Sequence, residues 1–319
     1  MRPQSALAPA SDQAGHLFSL WNLMLGVCGF MYLLVIIFLA WAIWRSRSKL
    51  AAAVQSPQTE VNDKGLERTF AAWAGLILGG LIVLTTASFL VDRAFATADA
   101  RDALKIKLTG QQWWWKIEYQ DGPVDRWIET ANELHLPAGR PAELTVEAQD
   151  VIHSFWVPNL SGKIDMIPGR TNHVLITPRQ QGAYRGQCAE FCGFQHAHMA
   201  LDVTVEPTAA FEAWRSRQLQ SAPETADPIL TQGRKVFETS ACVACHRIAG
   251  TEAGGETAPD LTHVAGRKSI AAGTLPYSRA NLTAWIANPR KFKPGTTMPA
   301  VKLATPDLFA LTAYLDSLK

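Results

Sequence analysis

The chain has 319 residues, 48% of them hydrophobic, enough for two compact domains plus a membrane-embedded portion and too many for a single domain. Its formal net charge is only +2 and no long basic run occurs, so charge gives no basis for nucleic-acid binding or for a polybasic membrane patch. The cysteines (Cys28, the pair Cys188 and Cys192, and the pair Cys242 and Cys245 followed by His246) do not form the pattern of a disulfide framework.

In chain order, the first element is an uncharged run from Leu23 to Ile43, and the second is an uncharged run from Phe70 to Val91. Each is long enough to cross a hydrocarbon layer about 30 Å thick, which takes roughly 20 apolar residues in a helix. Arg45, Arg47 and Lys49 follow the first run where a signal peptide would have a small-residue cleavage site, so both are read as membrane spans. Arg45, Arg47, Lys49, Lys64 and Arg68 lie between the spans, whereas only Arg2 precedes them. The positive-inside rule therefore puts the connection in the cytoplasm and both chain ends outside. Cys28 is read as a buried small residue of the first span.

From about residue 104 to 206 the runs LKIKLTG, WWWKIEY, ELHLPAG, AELTVEA, HVLITP and ALDVTVE are short and β-prone, divided by Gly, Pro, Asp and Asn, which predicts a β-sandwich or barrel. After Pro207 the period turns helical, and Ser221–Pro228 is a polar, proline-containing linker. The last part is helical at both ends. Gln232–Thr239 places Val236 and Phe237 on one face, and Thr305, Pro306 and Asp307 start a final helix through Leu311, Tyr314 and Leu315. Its Gly/Pro-rich middle calls for a large cofactor to fill the core. The predicted division is a leader over 1–16, a transmembrane helical hairpin over 17–92, a sandwich domain over 104–207, a connecting stretch over 208–228 and an all-α domain over 229–319.

In the last domain, Cys242-Val-Ala-Cys245-His246 is a C-x-x-C-H haem attachment motif: two thiols bond the haem vinyl groups and the histidine becomes an axial iron ligand. No second Cys/His pair follows to complete a zinc site, and no βαβ pattern surrounds the motif as in a thioredoxin. Met298, the domain's one methionine, is the candidate for the opposite haem face, where a thioether raises the reduction potential; His263 is its competitor, or else an exposed loop residue.

The middle domain holds Cys188-Ala-Glu190-Phe-Cys192-Gly-Phe-Gln-His196-Ala-His-Met199. Two thiolates, an imidazole and a thioether in one loop form a soft donor set that selects copper over magnesium or calcium. A mononuclear blue site uses one cysteine; two allow both sulfurs to bridge a pair of ions, with a second imidazole supplied from elsewhere, a role His153 fits. Each half taken alone also reads as a disulfide or a lone zinc site. His16, His135 and His173 have no ligand-like neighbours in sequence and are read as surface or hydrogen-bonded residues.

The pattern C-x-E-x-C-x-x-x-H-x-x-M, preceded by Asp150-Val-Ile-His153-Ser-Phe and Ile167-Pro-Gly-Arg170, resembles the binuclear copper signature of cytochrome c oxidase subunit II. The segment from 229 resembles a class I cytochrome c, including Pro259-Asp260-Leu261, so the whole is similar to subunit II of the caa3 type. The resemblance implies a cupredoxin-like sandwich whose Cys188 and Cys192 bridge a dicopper centre of the CuA type, with His153 and His196 each on one copper. Met199 then completes one shell and the Glu190 carbonyl the other, while the Glu190 side chain reaches a magnesium ion shared with subunit I. It also implies that electrons arrive over the copper at Trp113, the first tryptophan of Gly110-Gln-Gln-Trp-Trp-Trp115, with Trp115 structural. Glu67 resembles a carboxylate at the mouth of a proton pathway that is commonly followed by a tryptophan and a proline, yet Glu67-Arg-Thr-Phe-Ala-Ala-Trp73 has no proline, and a helix-start carboxylate fits equally.

On this likeness the chain is a subunit of a proton-translocating terminal oxidase in the bacterial inner membrane, its C-terminal domains on the periplasmic side. Subunits I and III, a donor cytochrome c or membrane cytochrome complex, and lipid are its partners. Two spans cannot supply the oxygen-reducing site, which falls to subunit I. A free electron carrier needs no two-span anchor, a quinol oxidase subunit lacks the cysteines, and nitrous oxide reductase needs a propeller domain for which there is no room.

Overall fold

A computed structural model describes residues 4–53 and 63–319. Helix α1 (Asp12–Ala53) and helix α2 (Asp63–Ala96) contain both apolar runs. The stretches 12–46 and 64–96 are each long and apolar enough to cross a membrane. Their large side chains are not packed away: Ile37 is 63% and Phe70 64% exposed, and Cys28, expected to be buried, is exposed too. The two helices run antiparallel, because His16 meets Phe95 edge-on at 6.1 Å, Val27 approaches Gly80, and Trp41 and Trp73 line one crevice. Arg2 and the connection over 54–62, on which the orientation argument partly rests, lie outside the described residues. Helix α1 begins at Asp12, within the stretch expected to be leader, where the Ser11 hydroxyl accepts from the Ala14 N–H at 3.0 Å and caps the first turn.

Just ahead of that cap the chain is stitched to the sandwich domain. The Ala10 N–H donates to the Asn159 carbonyl at 2.7 Å, the Asp12 N–H to that of Thr177 at 3.1 Å, and Arg179 grips the Asp12 carboxylate with two bonds of 2.8 and 2.7 Å. A bidentate guanidinium–carboxylate pair fixes direction as well as distance. No periodicity in the first residues signals this attachment.

The sandwich is two five-stranded sheets. The first has the order β3-β2-β1-β5-β8, from β1 (Leu104–Gln111), β2 (Trp114–Tyr119), β3 (Ile128–Ala131), β5 (Ala142–Ala148) and β8 (Asn172–Ile176). The second has the order β4-β10-β9-β6-β7, from β4 (Glu133–Pro137), β6 (His153–Trp156), β7 (Ile164–Met166), β9 (Gly182–Cys188) and β10 (Ala200–Glu206). Alternation in β1 and β5 buries Leu104, Ile106, Leu108, Leu144 and Val146 on one face. They meet Leu134, Leu136, Leu201, Val203 and Val205 of the opposite sheet in one core. Helix α3 (Thr208–Gln218) caps the core with Phe211 and Trp214: the Trp214 ring stacks on His135 at 4.2 Å and meets Tyr119 edge-on at 5.1 Å.

The C-terminal part is helical, with α4 (Pro228–Thr239), α5 (Arg279–Ala287), α6 (Pro289–Phe292) and α7 (Thr305–Ser317), plus a small hairpin of β11 (Ser269–Ile270) and β12 (Leu275–Pro276). Helix α4 starts earlier than the apolar period shows, because the Asp227 carboxylate accepts from the N–H groups of Ile229 and Leu230 with Pro228 in the first turn. Helices α4 and α7 cross where Gly233 lies on Ala310: a Cβ there would stand 2.1 Å from the Ala310 oxygen and 2.7 Å from the Tyr314 Cβ. Close crossing of the two helices therefore requires a residue without a side chain. We predict that Gly233→Ala destabilises this domain by about 2–3 kcal/mol, the scale of an overpacked core. Gly254→Ala, where a Cβ meets nothing within 4 Å, is the control with little effect. Thermal unfolding followed by tryptophan fluorescence checks both.

Candidate metal centre and haem pocket

Strands β6, β9 and β10 bring one set of side chains together. Cys188 ends β9, His153 opens β6, and Met199 immediately precedes β10. Phe155 pairs with Cys188 across β6 and β9, and the Cys188 N–H donates to the Met199 carbonyl at 2.9 Å, so the connecting loop is closed at its base. Inside it the Sγ atoms of Cys188 and Cys192 stand 3.7 Å apart, Cys188 Sγ is 3.8 Å from His153 Nδ1, and Cys192 Sγ is 3.7 Å from His196 Nδ1 and 3.9 Å from Met199 Sδ. A disulfide needs about 2.05 Å between sulfurs, so both thiols are free. His153, Cys188 and Cys192 group as potential metal ligands, with donor atoms within 4.8 Å of one another.

Glu190 divides its two ends. Its carbonyl oxygen lies 3.2 Å from Cys188 Sγ, while its exposed carboxylate faces Lys163 at 3.4 Å. His198 takes no part in the donor set: its Nδ1 lies 2.9 Å from the Gln195 Oε1. Met199 and His153 have no exposed surface, and Cys188 and Cys192 are almost wholly buried.

Two neighbours shape the group. Asp150 Oδ1 lies 2.8 Å from His153 Nε2, which fixes the ring with Nδ1 toward the sulfurs. Gly110 of β1 gives the ring room, because a Cβ there would stand 3.0 Å from its carbons. The two thiols do not titrate alike. The hydrogen bond from Cys192 holds Cys188 down to about 3 against the effect of burial, with His153 helping; the same contact, with burial, pushes Cys192 up. Burial opposes a charge on His153, yet the hydrogen bonds to Cys188 and Asp150 carry its pKa above the ordinary imidazole value. A thiolate with two imidazoles, a second thiol, a thioether and a carbonyl close by is a donor set suited to a soft or borderline transition metal.

The C-x-x-C-H turn is a single short helix-like turn, in which the Cys245 and His246 N–H groups both donate to the Cys242 carbonyl, at 3.2 and 2.9 Å. Gly255 passes directly against it: a Cβ there would lie 2.5 Å from the Cys245 carbonyl carbon. His246 Nδ1 lies 2.7 Å from the Pro259 carbonyl, which leaves Nε2 for a ligand, and burial holds the ring below the usual imidazole pKa. Cys242, Cys245, His246 and Met298 all line one cavity of about 380 Å³ walled by Leu282, Trp285 and Ile286. That volume lies within the roughly 300–1,000 Å³ usual for cofactor pockets, and an apolar box with an imidazole and a thioether fits a haem. His263 is not part of it. It is buried, not an exposed loop residue, with Nδ1 3.0 Å from the Lys319 carbonyl and Nε2 3.1 Å from that of Gln220.

Trp113 belongs to both sites. Its indole N–H donates to the Cys192 carbonyl at 2.9 Å, and its ring also lines the cavity around His246 and Met298. It is only 7% exposed, whereas Trp115 is fully buried in the sandwich core. Lys293, which the sequence reading passed over, is buried beside it, and burial draws its pKa down to about 7 while the Cys192 sulfur pulls the other way. No residue pattern announces this lysine, since its partners are backbone carbonyls from other segments. Glu67 is exposed near the start of α2.

Residues 122–206 match the family described as the periplasmic domain of cytochrome c oxidase subunit II, and residues 230–319 match the cytochrome c family. Cytochrome c oxidase subunit 2 of Alkalihalophilus pseudofirmus is 31% identical over 322 residues, covering 99% of this chain and 91% of that protein. Its counterpart from Bacillus sp. strain PS3 is 33% identical, covering 76% and 70%. The crystal structure of the periplasmic domain of subunit II of cytochrome oxidase of Bradyrhizobium japonicum aligns with a TM-score of 0.35 at 32% identity, covering 37% of this chain and 94% of that one. The two family matches and a similarity that runs almost the whole length of the chain agree: the chain belongs to the cytochrome c oxidase subunit 2 family and is a component of a cytochrome c oxidase that carries its own cytochrome c domain.

Proposed function

We propose that this chain is the electron-receiving subunit of a proton-translocating terminal oxidase, anchored by two spans in a bacterial inner membrane with residues 104–207 and 229–319 as separate periplasmic domains. When bound, a covalent haem c and a CuA-type copper pair supply one-electron redox chemistry between a donor cytochrome, soluble or membrane-bound, and subunit I, where oxygen is reduced to water. The observation that carries the reading is the convergence of Cys188, Cys192, His153, His196 and Met199 in one group, buried but for His196, next to a C-x-x-C-H cavity.

Each residue has a definite task in this account. Cys188 and Cys192 would hold the copper pair, with His153, His196, Met199 and the Glu190 carbonyl as its further ligands. Asp150 aims His153, and the sandwich excludes water from the sulfurs. Cys242 and Cys245 tether the porphyrin, His246 and Met298 hold its iron, and the Pro259 carbonyl sets the His246 ring. Trp113 lies between the two centres and serves as the point where electrons pass toward the copper. The exposed carboxylate of Glu190, which faces Lys163, is assigned to a magnesium ion shared with subunit I. Subunit III completes the assembly, and Glu67 on α2 is assigned to the mouth of a proton path.

Three variants of the full chain test these assignments. Cys192→Ser in the full chain abolishes copper binding while the covalent haem band stays; copper analysis with absorption spectra checks this, and undiminished copper would refute the ligand assignment. Asp150→Ala weakens copper retention by about 10–100-fold, the usual cost of losing a partner that orients a metal-bound histidine, measured by competition with a chelator. Met298→Ala leaves the haem attached but lowers its reduction potential, because thioether ligation is what raises it, and a redox titration reads the difference.

A further inference from the structure

Lys293 opens the loop that leads to Met298, and its side chain is 3% exposed. Its Nζ lies 2.6 Å from the Trp113 carbonyl, 3.0 Å from that of His198 and 3.1 Å from that of Ala271. These oxygens come from the β1–β2 turn, the end of the Cys188–Met199 loop, and the β11–β12 hairpin. The first two belong to the sandwich and the third to the cytochrome domain. An ammonium has three donors and no acceptor, so three carbonyls use it fully. Among the described residues no carboxylate pairs with it, and its charge is spent on backbone alone.

Around this point the two domains meet through main chain. The Ala200 N–H, next to Met199, donates to the Ala272 carbonyl at 3.0 Å, and the Gln195 amide donates to the Pro294 carbonyl at 2.8 Å. Gly295, with φ of +87°, brings the Met298 loop flat onto the indole, where a Cβ would stand 3.3 Å from Trp113 Cη2. Ala271 and Ala272 both hold φ of 54°, a left-handed conformation that non-glycine residues adopt only where their surroundings impose it. Trp113 is thus pinned at both ends, by Cys192 at its ring and by Lys293 at its carbonyl.

We propose that Lys293 is a positioning residue for electron transfer within the chain: by clamping the Trp113 turn, the copper loop and the β11–β12 hairpin, it holds the haem cavity at a fixed distance from the sulfur site. This rests on the function proposed above. The step it serves moves one electron from the reduced haem iron to the oxidised copper pair, with no bond made or broken and no proton taken from Lys293.

Two experiments on the full chain test it. In the wild type, acetic anhydride acylates Lys293 about tenfold or more slowly than exposed Lys302, the contrast expected between an amine released by local opening and a free one. Equal rates overturn the clamp, and this arm needs neither metal nor a variant. Lys293→Met keeps the haem band and the copper signal, speeds hydrogen exchange at the Ala200 amide, and slows haem-to-copper equilibration after flash reduction. The slowing is several-fold, because electron tunnelling between two centres falls off exponentially as their separation grows. Faster exchange with an unchanged electron rate would make Lys293 merely structural and overturn the positioning role. A wild type that binds no copper would sink the functional reading, while the acylation and exchange arms still decide the clamp. If Lys293→Met does not fold, the wild-type acylation decides alone.

Discussion

The Cys188 N–H bond to the Met199 carbonyl closes a loop between two adjacent antiparallel strands, and the sulfur site depends on that closure. Because Cys188 and Met199 are thereby neighbours, the short run between them must fold back on itself, and Cys192 and His196 have little choice but to turn inward. His153 enters from β6 because β6 pairs with β9 at Cys188. The donor set is therefore a product of strand register, and a slip of one residue would turn the sulfurs to the opposite face. Close packing supports this: the bare face of Gly110 receives the His153 ring, and Gly193, with φ of +107°, lets the loop pass against Gln112 and Trp113. Only glycine meets both demands without strain.

The cytochrome domain is built on a different principle. Its helices α4 and α7 cross tightly at Gly233, yet its middle contains little regular structure and encloses the cavity. The domain's apolar residues line a space instead of filling it, as expected where a prosthetic group completes the core. The two domains share Trp113, and around it a few side chains, its own indole and Lys293 among them, donate to backbone carbonyls. Side chains farther along the same interface, such as Lys268 on Thr204 at 2.8 Å, add to its grip.

The sequence exposed the parts of the fold that rest on local pattern. Strands β1, β5 and β10 were legible from apolar residues bounded by turn formers, and α7 from Thr305-Pro306-Asp307. Strands β6 and β7 were not legible as pattern: β6 is buried on both faces and so loses its alternation, and β7 has three residues. Strand β9, GAYRGQC, carries two glycines that dilute its β signal. The start of α4 was hidden in what composition presents as linker, where Asp227-Pro228 is in fact a cap. The residues around the sulfurs could be gathered from spacing because four of them lie in one loop, with His153 fitting the second imidazole that the donor set calls for. Lys293, Asp150 and the docked residues before α1 could not be, since what they bind comes from distant segments and leaves no periodic trace.

The central claim is that two sulfurs in one closed loop hold a pair of copper ions as a single electronic unit. Electron paramagnetic resonance of the fully loaded, oxidised chain, combined with elemental analysis, tests it most directly. The account predicts two coppers for each haem iron and a hyperfine pattern from one unpaired electron shared equally by two copper nuclei. A single-copper pattern, or zinc in place of copper, would contradict it.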